Sequence, residues 1–336
     1  MKLTRKVRLT QTLPSDRELV AGLTTALKSA VAQNGDVTVL QRQLNTYSSS
    51  HPSEVVLCRL NGKERTVLIK YGTGHRNAPE ASRGGVEYEA KVYQHILQPH
   101  GISSPSLLGV HEVTETGATW LIVEYLSGCK RLNHVETAIV MASAWLGEFH
   151  AYAESTWSTD SLPFLKVYDA EYYQGWVAGT ERRLALLKPH YSWICELTDS
   201  FGEFSAHLSR EPQVVIHGEF YPHNVLVQNG EIYPIDWESA AFGCPEIDFA
   251  SLTDGWDAGT VDQCKKAYKF ARWGTTTAES FERSVLLADM YWNLRWLSRE
   301  DRKHPQLDPS PMSSLPWRLQ KLKTTWEGLD SLLNNG

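Results

Sequence analysis

The sequence has few cysteines and no long apolar run, and these absences exclude several classes of protein. Its 336 residues include 5 cysteines, and none shows the C-x-x-C spacing of a zinc or redox site. We therefore expect reduced cysteines that pack in the interior. No stretch approaches the roughly 20 apolar residues of a transmembrane helix. The basic N-terminal segment lacks the apolar core of a signal peptide, so the expected location is the cytoplasm.

Acidic residues are in excess, and the excess lies in one part of the chain. Residues 1–128 contain 14 Lys and Arg against 11 Asp and Glu, whereas residues 129–336 contain 19 against 28, a balance of −9. This balance argues against nucleic acid or an anionic membrane as a partner. It is compatible with a cationic substrate, although an acidic surface that only promotes solubility is an equally good explanation.

The most informative stretch covers residues 214–238. Asn229-Gly230 lies between two β-branched runs and predicts a tight hairpin. Asn224 precedes the first strand of this hairpin, Asp236 follows the second, and Glu219 lies in the loop before it. Because a hairpin brings its open ends together, these oxygen ligands predict a site for a hard cation such as Mg²⁺.

This arrangement resembles the catalytic loop and metal site of the protein-kinase-like phosphotransferases, and most closely the aminoglycoside phosphotransferase and choline kinase branch. There the pattern is His-Gly-Asp, four residues, Asn, and a hairpin that ends in Ile-Asp-Trp-Glu. His217, Glu219 and Asn224 have this spacing, and Ile235–Glu238 matches the hairpin end. The resemblance implies that Glu219 accepts the substrate hydroxyl proton and that Asn224 and Asp236 hold Mg²⁺. The departure is Glu219 itself, since the family usually has Asp there.

A helix, three strands and a serine-rich loop are predicted near the N-terminus. The helix opens with a capping box at Ser15. The strands are expected at Val37–Leu44, Glu54–Leu60 and Arg65–Tyr71. The loop between the first two strands contains Ser48, Ser49 and Ser50. In the resembling family this loop lies over the nucleotide phosphates, to which serines offer N–H and hydroxyl groups. Most serine-rich turns, however, are only turns.

Lys70 closes the third predicted strand. Such a lysine is either a solvated strand end or a functional cation. A helix predicted over residues 86–97 places Glu89 in the register of the family's third-helix pattern. In that family the glutamate pairs with the strand lysine, which binds the α- and β-phosphates. The resemblance therefore implies that Lys70 and Glu89 form an ion pair at the nucleotide.

A predicted strand at Thr119–Tyr125 leads into a segment that resembles the family hinge, commonly Met-Glu-Tyr-Leu-x-Gly. Here the corresponding residues run from Val123 to Gly128. The resemblance implies that backbone groups at Glu124 and Leu126 bind the adenine edge. A strand that ends in a glycine turn is the alternative explanation.

Three further expectations concern the second half of the chain. A long helix is predicted over Val135–Tyr152, with His150 as an ordinary histidine near its end. Asp248 lies in a segment that resembles the family's Gly-x-x-x-x-Asp-Leu-Ala, where the aspartate braces the catalytic loop. Asp254 and Asp257 are candidates for the groups that would bind a cationic acceptor.

Together these patterns predict an α+β chain with a two-lobed protein-kinase-like fold. Residues 1–126 would form a mainly β, nucleotide-binding lobe with a leading helix, and residues 127–336 a mainly α, catalytic and acceptor-binding lobe. The resemblance implies ATP, or another nucleoside triphosphate, and Mg²⁺ as cofactors. It also implies phosphorylation of a hydroxyl on a small molecule, such as an aminoglycoside, a sugar or an amino-alcohol.

The function of a small-molecule kinase has two alternatives. A protein kinase is not expected, because no Ala-Pro-Glu motif follows Asp236, where an activation segment would lie. A regulator that binds nucleotide but has lost turnover through Glu219 stays open. The sequence carries no indication of oligomeric state.

Overall fold

The computed structural model describes residues 13–27, 37–45, 51–72, 84–185, 187–276, 280–298 and 315–334. The chain divides into two compact units. The first contains Met1–Lys130 and Leu226–Ser239, and the second contains Arg131–Val225 and Ala240–Gly336. The predicted lobe boundary between residues 126 and 127 stays a prediction.

Strands predominate in the first part of the described chain, and helices predominate in the second. The strands are Val37–Leu44 (β1), Ser53–Leu60 (β2), Lys63–Tyr71 (β3), Leu107–Val113 (β4), Ala118–Glu124 (β5), Lys130–Arg131 (β6), Lys166–Val167 (β7), Val214–Ile216 (β8), Val225–Gln228 (β9), Glu231–Pro234 (β10) and Ala241–Gly243 (β11). The helices are Asp16–Ala26 (α1), Gly85–Val92 (α2), Ile139–Thr156 (α3), Ala170–Leu184 (α4), Trp193–Asp199 (α5), Phe201–Arg210 (α6), Glu246–Thr253 (α7), Ala258–Trp273 (α8), Phe281–Ser298 (α9) and Leu315–Asn334 (α10).

The first unit is built on a five-stranded antiparallel sheet with the order β1-β2-β3-β5-β4. The three strands predicted near the N-terminus are present, within two residues of their expected starts. Asn61 and Gly62 connect β2 to β3 with positive φ values of 51° and 79°. Asn229 and Gly230 connect β9 to β10 in the same way, which confirms the hairpin predicted there.

Helix α1 covers one side of this sheet. Its capping box is complete, because Ser15 Oγ accepts from the Glu18 N–H and the Glu18 carboxylate accepts from the Ser15 N–H. Leu19 and Leu23 are fully buried in the core that the sheet also lines. At Gly22 a Cβ atom would lie 2.3 Å from the Trp120 ring, so glycine is what permits this close packing.

Helix α2 differs slightly from its prediction. One helix was expected over residues 86–97, whereas the α-helix ends at Val92 and a π-helical turn covers Tyr93–Leu97. Ile96 and Leu97 in this turn are fully buried. Glu89, an acidic residue of α2, is buried as well.

The second unit is mainly helical around a small three-stranded sheet with the order β7-β11-β8. Strand β8, which directly precedes the loop that carries Glu219, is fully buried. The long helix predicted over 135–152 is α3, but it begins at Ile139 because Glu136–Ala138 form a 3-10 turn. Among the described residues, none of the helices has the length and hydropathy to cross a bilayer.

Candidate active site

Lys70 lies at the centre of a buried ionic cluster in the first unit. Its Nζ is 2.9 Å and 2.7 Å from the two carboxylate oxygens of Glu89 on α2. The same Nζ is 2.7 Å from Asp236 Oδ1, in the segment after β10. Only 12% of the Lys70 side chain and 2% of the Glu89 side chain are exposed. The predicted ion pair between Lys70 and Glu89 is therefore present, and Asp236 joins it.

The Lys70 cluster carries more negative than positive charge. Burial disfavours the charged form of Lys70, but Asp236, Glu89 and Glu238 outweigh it, so the pKa of Lys70 lies above its ordinary value. Burial raises the pKa of Glu89 to about 7, against the opposite influence of Lys70. Among the described residues, the ammonium of Lys70 thus lies near three acidic side chains, of which Glu238 is also 3.6 Å from His51 Nε2.

Asp236 has an unusual backbone conformation. Its φ is +70°, and the only other non-glycine residues with positive φ among those described are the two hairpin asparagines. A non-glycine residue outside a turn adopts this conformation at a cost of about 1 kcal/mol or more, and such residues concentrate at functional sites. The next residue, Trp237, is fully buried and its backbone N–H donates to Glu89 Oε1 at 3.2 Å. The strained backbone at Asp236 is therefore part of the Lys70 cluster.

Glu219 lies in the second unit, in the loop after β8, and its side chain is fully buried. Arg295 on α9 donates from Nη2 to Glu219 Oε1 at 2.7 Å and from Nη1 to the carbonyl of Gly218 at 2.8 Å. This arginine was missed at the sequence level. The available signal was an arginine in the apolar stretch Ala288–Leu297, where a charge needs a partner.

Asp248 braces the loop that carries Glu219. Its two carboxylate oxygens accept the backbone N–H groups of His217 at 2.6 Å and Gly218 at 2.8 Å. His150 Nε2 lies 3.4 Å from the same carboxylate, and its Nδ1 is 2.9 Å from the hydroxyl of Tyr268. These contacts are those of the structural role expected for Asp248. His150 differs from its prediction, since it is fully buried within α3 rather than placed at a helix end.

Asn224 also lies in the second unit, in the 3-10 turn Pro222–Asn224. Its side chain is buried and donates from Nδ2 to the Glu219 carbonyl at 3.2 Å, while its N–H donates to the carbonyl of Tyr221 at 2.8 Å. The side chain and backbone of Asn224 therefore both hydrogen-bond to the loop that carries Glu219. Asp236, its predicted partner in metal binding, belongs to the first unit.

The predicted nucleotide-binding residues outside the Lys70 cluster have ordinary positions at the end of a strand or in the segment after it. Glu124 ends β5, and both its N–H and its carboxylate are 2.9 Å from Ser106. Leu126 lies two residues beyond that strand and is half-buried. Ser48, Ser49 and Ser50 lie outside the described residues.

The two acids suggested for a cationic acceptor have other partners in the structure, and their role in acceptor binding stays a prediction. Asp254 is 2.7 Å from both Arg318 and Lys321 and also accepts from the Trp292 indole at 3.1 Å. Asp257 is the N-cap of α8 and accepts from the Thr260 N–H at 3.0 Å. Local sequence could not reveal the basic partners of Asp254, because α10 lies more than sixty residues further on.

A magnesium site would draw on few protein groups. Within the described ranges, no three His, Cys, Asp or Glu side chains are grouped so as to hold a metal ion by themselves. Mg²⁺ needs no such group, because it is commonly held by one or two protein ligands together with substrate phosphates. The acidic side chains around Lys70, Asp236 among them, fit that kind of ion.

Comparison with known structures gives the same fold. The GDP complex of a mutant aminoglycoside 2'-phosphotransferase-IIIa shares 15% identity over 96% of this chain and 99% of its own, with a TM-score of 0.56. A choline/ethanolamine kinase family protein from Mesorhizobium loti shares 15% identity over 93% and 94%, with a TM-score of 0.56. An amicoumacin kinase bound to AMP-PNP, Ca²⁺ and amicoumacin shares 12% identity over 93% and 94%, with a TM-score of 0.59. The predicted kinase-like fold is thereby confirmed.

Comparison at the level of families assigns the chain directly. No curated protein matches the sequence. The model of the phosphotransferase enzyme family matches residues 51–281, about two thirds of the chain. This range includes Lys70, Glu89, Glu219, Asn224 and Asp236. The chain belongs to the phosphotransferase enzyme family, as its resemblance to small-molecule kinases led us to expect.

Proposed function

We propose that this protein transfers the γ-phosphoryl group of Mg²⁺-bound ATP to a hydroxyl group of a small molecule. The observation that carries the proposal is the position of Lys70 between Glu89 and Asp236, with contacts of 2.7 to 2.9 Å. In kinases a lysine held by a helix glutamate binds the nucleotide phosphates, and an aspartate after the catalytic hairpin binds the metal. The three residues occur here in the order and environment that this chemistry needs.

The proposed roles divide between the two units. In the first, Lys70 contacts the α- and β-phosphates, Glu89 keeps Lys70 in place, and the backbone near Glu124 and Leu126 binds the base. Ser48, Ser49 and Ser50 are proposed to contact phosphate oxygens. Asp236 and Asn224 would hold Mg²⁺, which neutralises charge on the β- and γ-phosphates when bound.

Glu219 is the proposed general base. It accepts the proton of the acceptor hydroxyl while that oxygen forms its bond to the γ-phosphorus, and the nucleoside diphosphate leaves. Arg295 offsets the cost of burying the Glu219 carboxylate, which would otherwise amount to several kcal/mol. Asp248 accepts the backbone N–H groups of His217 and Gly218, which would brace the loop that carries this carboxylate.

The acceptor is proposed to be a small alcohol, such as an aminoglycoside, a sugar or an amino-alcohol. Support comes from the kinases of similar fold, among them one crystallised with kanamycin and one with spectinomycin. A positive charge on the acceptor is not required by the surroundings described, because Asp254 is neutralised by Arg318 and Lys321. Both neutral and amine-bearing alcohols therefore belong in a substrate screen.

The test is a screen of the purified chain for phosphoryl transfer. MgATP and MgGTP would each be incubated with panels of aminoglycosides, sugars and amino-alcohols, and phosphorylated products detected by mass spectrometry. We expect one class to gain a single phosphate, in a reaction that chelation of Mg²⁺ by EDTA stops. Nucleotide binding without transfer or hydrolysis would instead support the regulator that has lost turnover.

A further inference from the structure

Arg295 has a position that the proposed roles do not account for. Its guanidinium contacts both Glu219 Oε1 and the carbonyl of Gly218, and only 2% of its side chain is exposed. A guanidinium is a planar, rigid fork, so two simultaneous contacts set direction as well as distance. One side chain thus fixes the carboxylate of Glu219 relative to the backbone that precedes it.

The surroundings of Arg295 restrict its own movement. The guanidinium carbon lies 5.4 Å from the Trp176 ring centre and 5.8 Å from that of Trp292, distances typical of cation–π contacts. Its Nη1 is also 3.5 Å from the hydroxyl of Tyr291, which in turn is 2.8 Å from that of Tyr172. Helices α4 and α9 therefore hold the arginine from several sides.

The pairing also explains how a glutamate can occupy this position. A glutamate side chain is one methylene longer than an aspartate and has one more rotatable bond, so its carboxylate is harder to hold. Misplacement of a reacting group by about 1 Å can reduce turnover by about 10²-fold. A fixed arginine at the end of the longer side chain removes that freedom.

We propose that Arg295 is a positioning residue for phosphoryl transfer, which holds Glu219 where it accepts the proton of the acceptor hydroxyl. The inference rests on the proposed function, because it needs Glu219 as the base. In this step the hydroxyl oxygen forms a bond to the γ-phosphorus, and the bond from that phosphorus to the bridging oxygen breaks. The proton passes to Glu219, the diphosphate leaves, and no bond to Arg295 changes.

The experiment compares Arg295→Met and Arg295→Lys in the native background and in Glu219→Gln. The readouts are kcat and KM for MgATP with the best acceptor of the screen, and MgATP hydrolysis where water is the acceptor. We expect Arg295→Met to lower kcat about 10²-fold and Arg295→Lys about 10-fold, with KM for MgATP changed less than about threefold. In Glu219→Gln, adding Arg295→Met should change kcat less than about twofold, because Arg295 acts through Glu219.

Arg318→Met is the matched control. Arg318 is likewise a buried arginine in an ion pair, 2.7 Å from Asp254, and lies between the rings of Trp296 and Trp317. Its loss should lower the melting temperature, as the loss of Arg295 does, but leave kcat within about twofold of native.

Each result decides between the two proposals. An equal loss of kcat from Arg295→Met in both backgrounds, or from Arg318→Met, would overturn the positioning role while the proposed function stands. If Arg295→Met does not fold, Arg295→Lys decides, and native kcat in that variant overturns the role. Absence of any transfer or hydrolysis by the native chain would instead overturn the proposed function, and the role of Arg295 with it.

Discussion

Two buried ionic sites, one in each unit, differ in how their charges balance. Around Lys70 a single ammonium faces Glu89, Asp236 and Glu238, so negative charge is in excess. At Glu219 the carboxylate pairs with the guanidinium of Arg295, whose other described contacts are to the Gly218 carbonyl, the Tyr291 hydroxyl and two tryptophan rings. The first site groups several acidic side chains around one cation, whereas the described part of the second is one ion pair surrounded by neutral groups. This difference suggests that the first binds charged ligands, whereas the second maintains geometry.

Removal of Asp236 should have the largest effect, because it takes away both a proposed metal ligand and a partner of Lys70. We expect Asp236→Ala to lower MgATP-dependent turnover by at least about 10³-fold. The protein should stay folded, as judged by circular dichroism. Asp262→Ala is the control, since Asp262 forms an exposed pair with Lys266 at 2.6 Å. Unchanged titrations of MgATP with Asp236→Ala would contradict its assignment as a metal ligand.

Neutralising Glu219 should have the next largest effect. We expect Glu219→Gln to reduce kcat by about 10²- to 10⁴-fold with little change in KM for MgATP, because a general base acts on the chemical step. Glu246→Gln is a fitting control, because Glu246 is also buried and pairs with an arginine, Arg272, at 2.9 Å. Transfer at the native rate in Glu219→Gln would show that the loop needs no base there.

Removal of Lys70 should act mainly through the nucleotide. We expect Lys70→Ala to raise KM for MgATP by about 10-fold or more, since one charge-assisted contact to phosphate contributes roughly 1.5–3 kcal/mol. Lys91→Ala, on the exposed side of α2, should leave KM unchanged. A KM unaffected by Lys70→Ala would mean that the ion pair with Glu89 is structural alone.

The smallest expected effect concerns pH and the charge excess around Lys70. Glu89 has a pKa of about 7 in the folded protein, whereas its ordinary value is 4.5. Between these values the folded state binds more protons than the unfolded state, so the free energy of unfolding should fall as pH rises from 4.5 to 7. Each unit of difference between the two pKa values contributes about 1.4 kcal/mol. The fall in unfolding free energy attributable to Glu89 is therefore at most about 3 kcal/mol.

Denaturant unfolding at several pH values between 4.5 and 7 measures this effect. Glu89→Gln should show a shallower fall than the native chain. Glu87→Gln serves as control, because Glu87 lies on the same helix but is exposed and pairs with Lys91. If the unfolding free energy changed with pH by the same amount in all three proteins, Glu89 would be ionised throughout this range.

Much of the first site could be predicted from the sequence, because local patterns determine it. The turn at Asn229-Gly230 sets the hairpin, the strand before Gly72 places Lys70, and the register of α2 places Glu89. The positive φ of Asp236 and the third carboxylate, Glu238, were not foreseen. Neither follows from spacing along the chain, since both depend on how the chain turns after β10.

The second site was predicted less completely, because its partners are far apart in sequence. Arg295 lies 76 residues after Glu219, and nothing in the local pattern joins them. Asp254 was a candidate for binding a cationic acceptor, and its partners Arg318 and Lys321 on α10 were not foreseen for the same reason. Ion pairs between residues distant in sequence determine which acids can bind a ligand. Local sequence patterns do not reveal such pairs.

The most direct test of Glu219 as a working base is the kcat of Glu219→Asp beside that of the native chain on the same acceptor. Aspartate restores the residue usual in the family but shortens the side chain that Arg295 holds. We expect Glu219→Asp to be about 10- to 10²-fold slower, because its carboxylate no longer matches the arginine. A variant much faster than the native chain would contradict this, and would identify Glu219 as the mark of a site that has lost its activity.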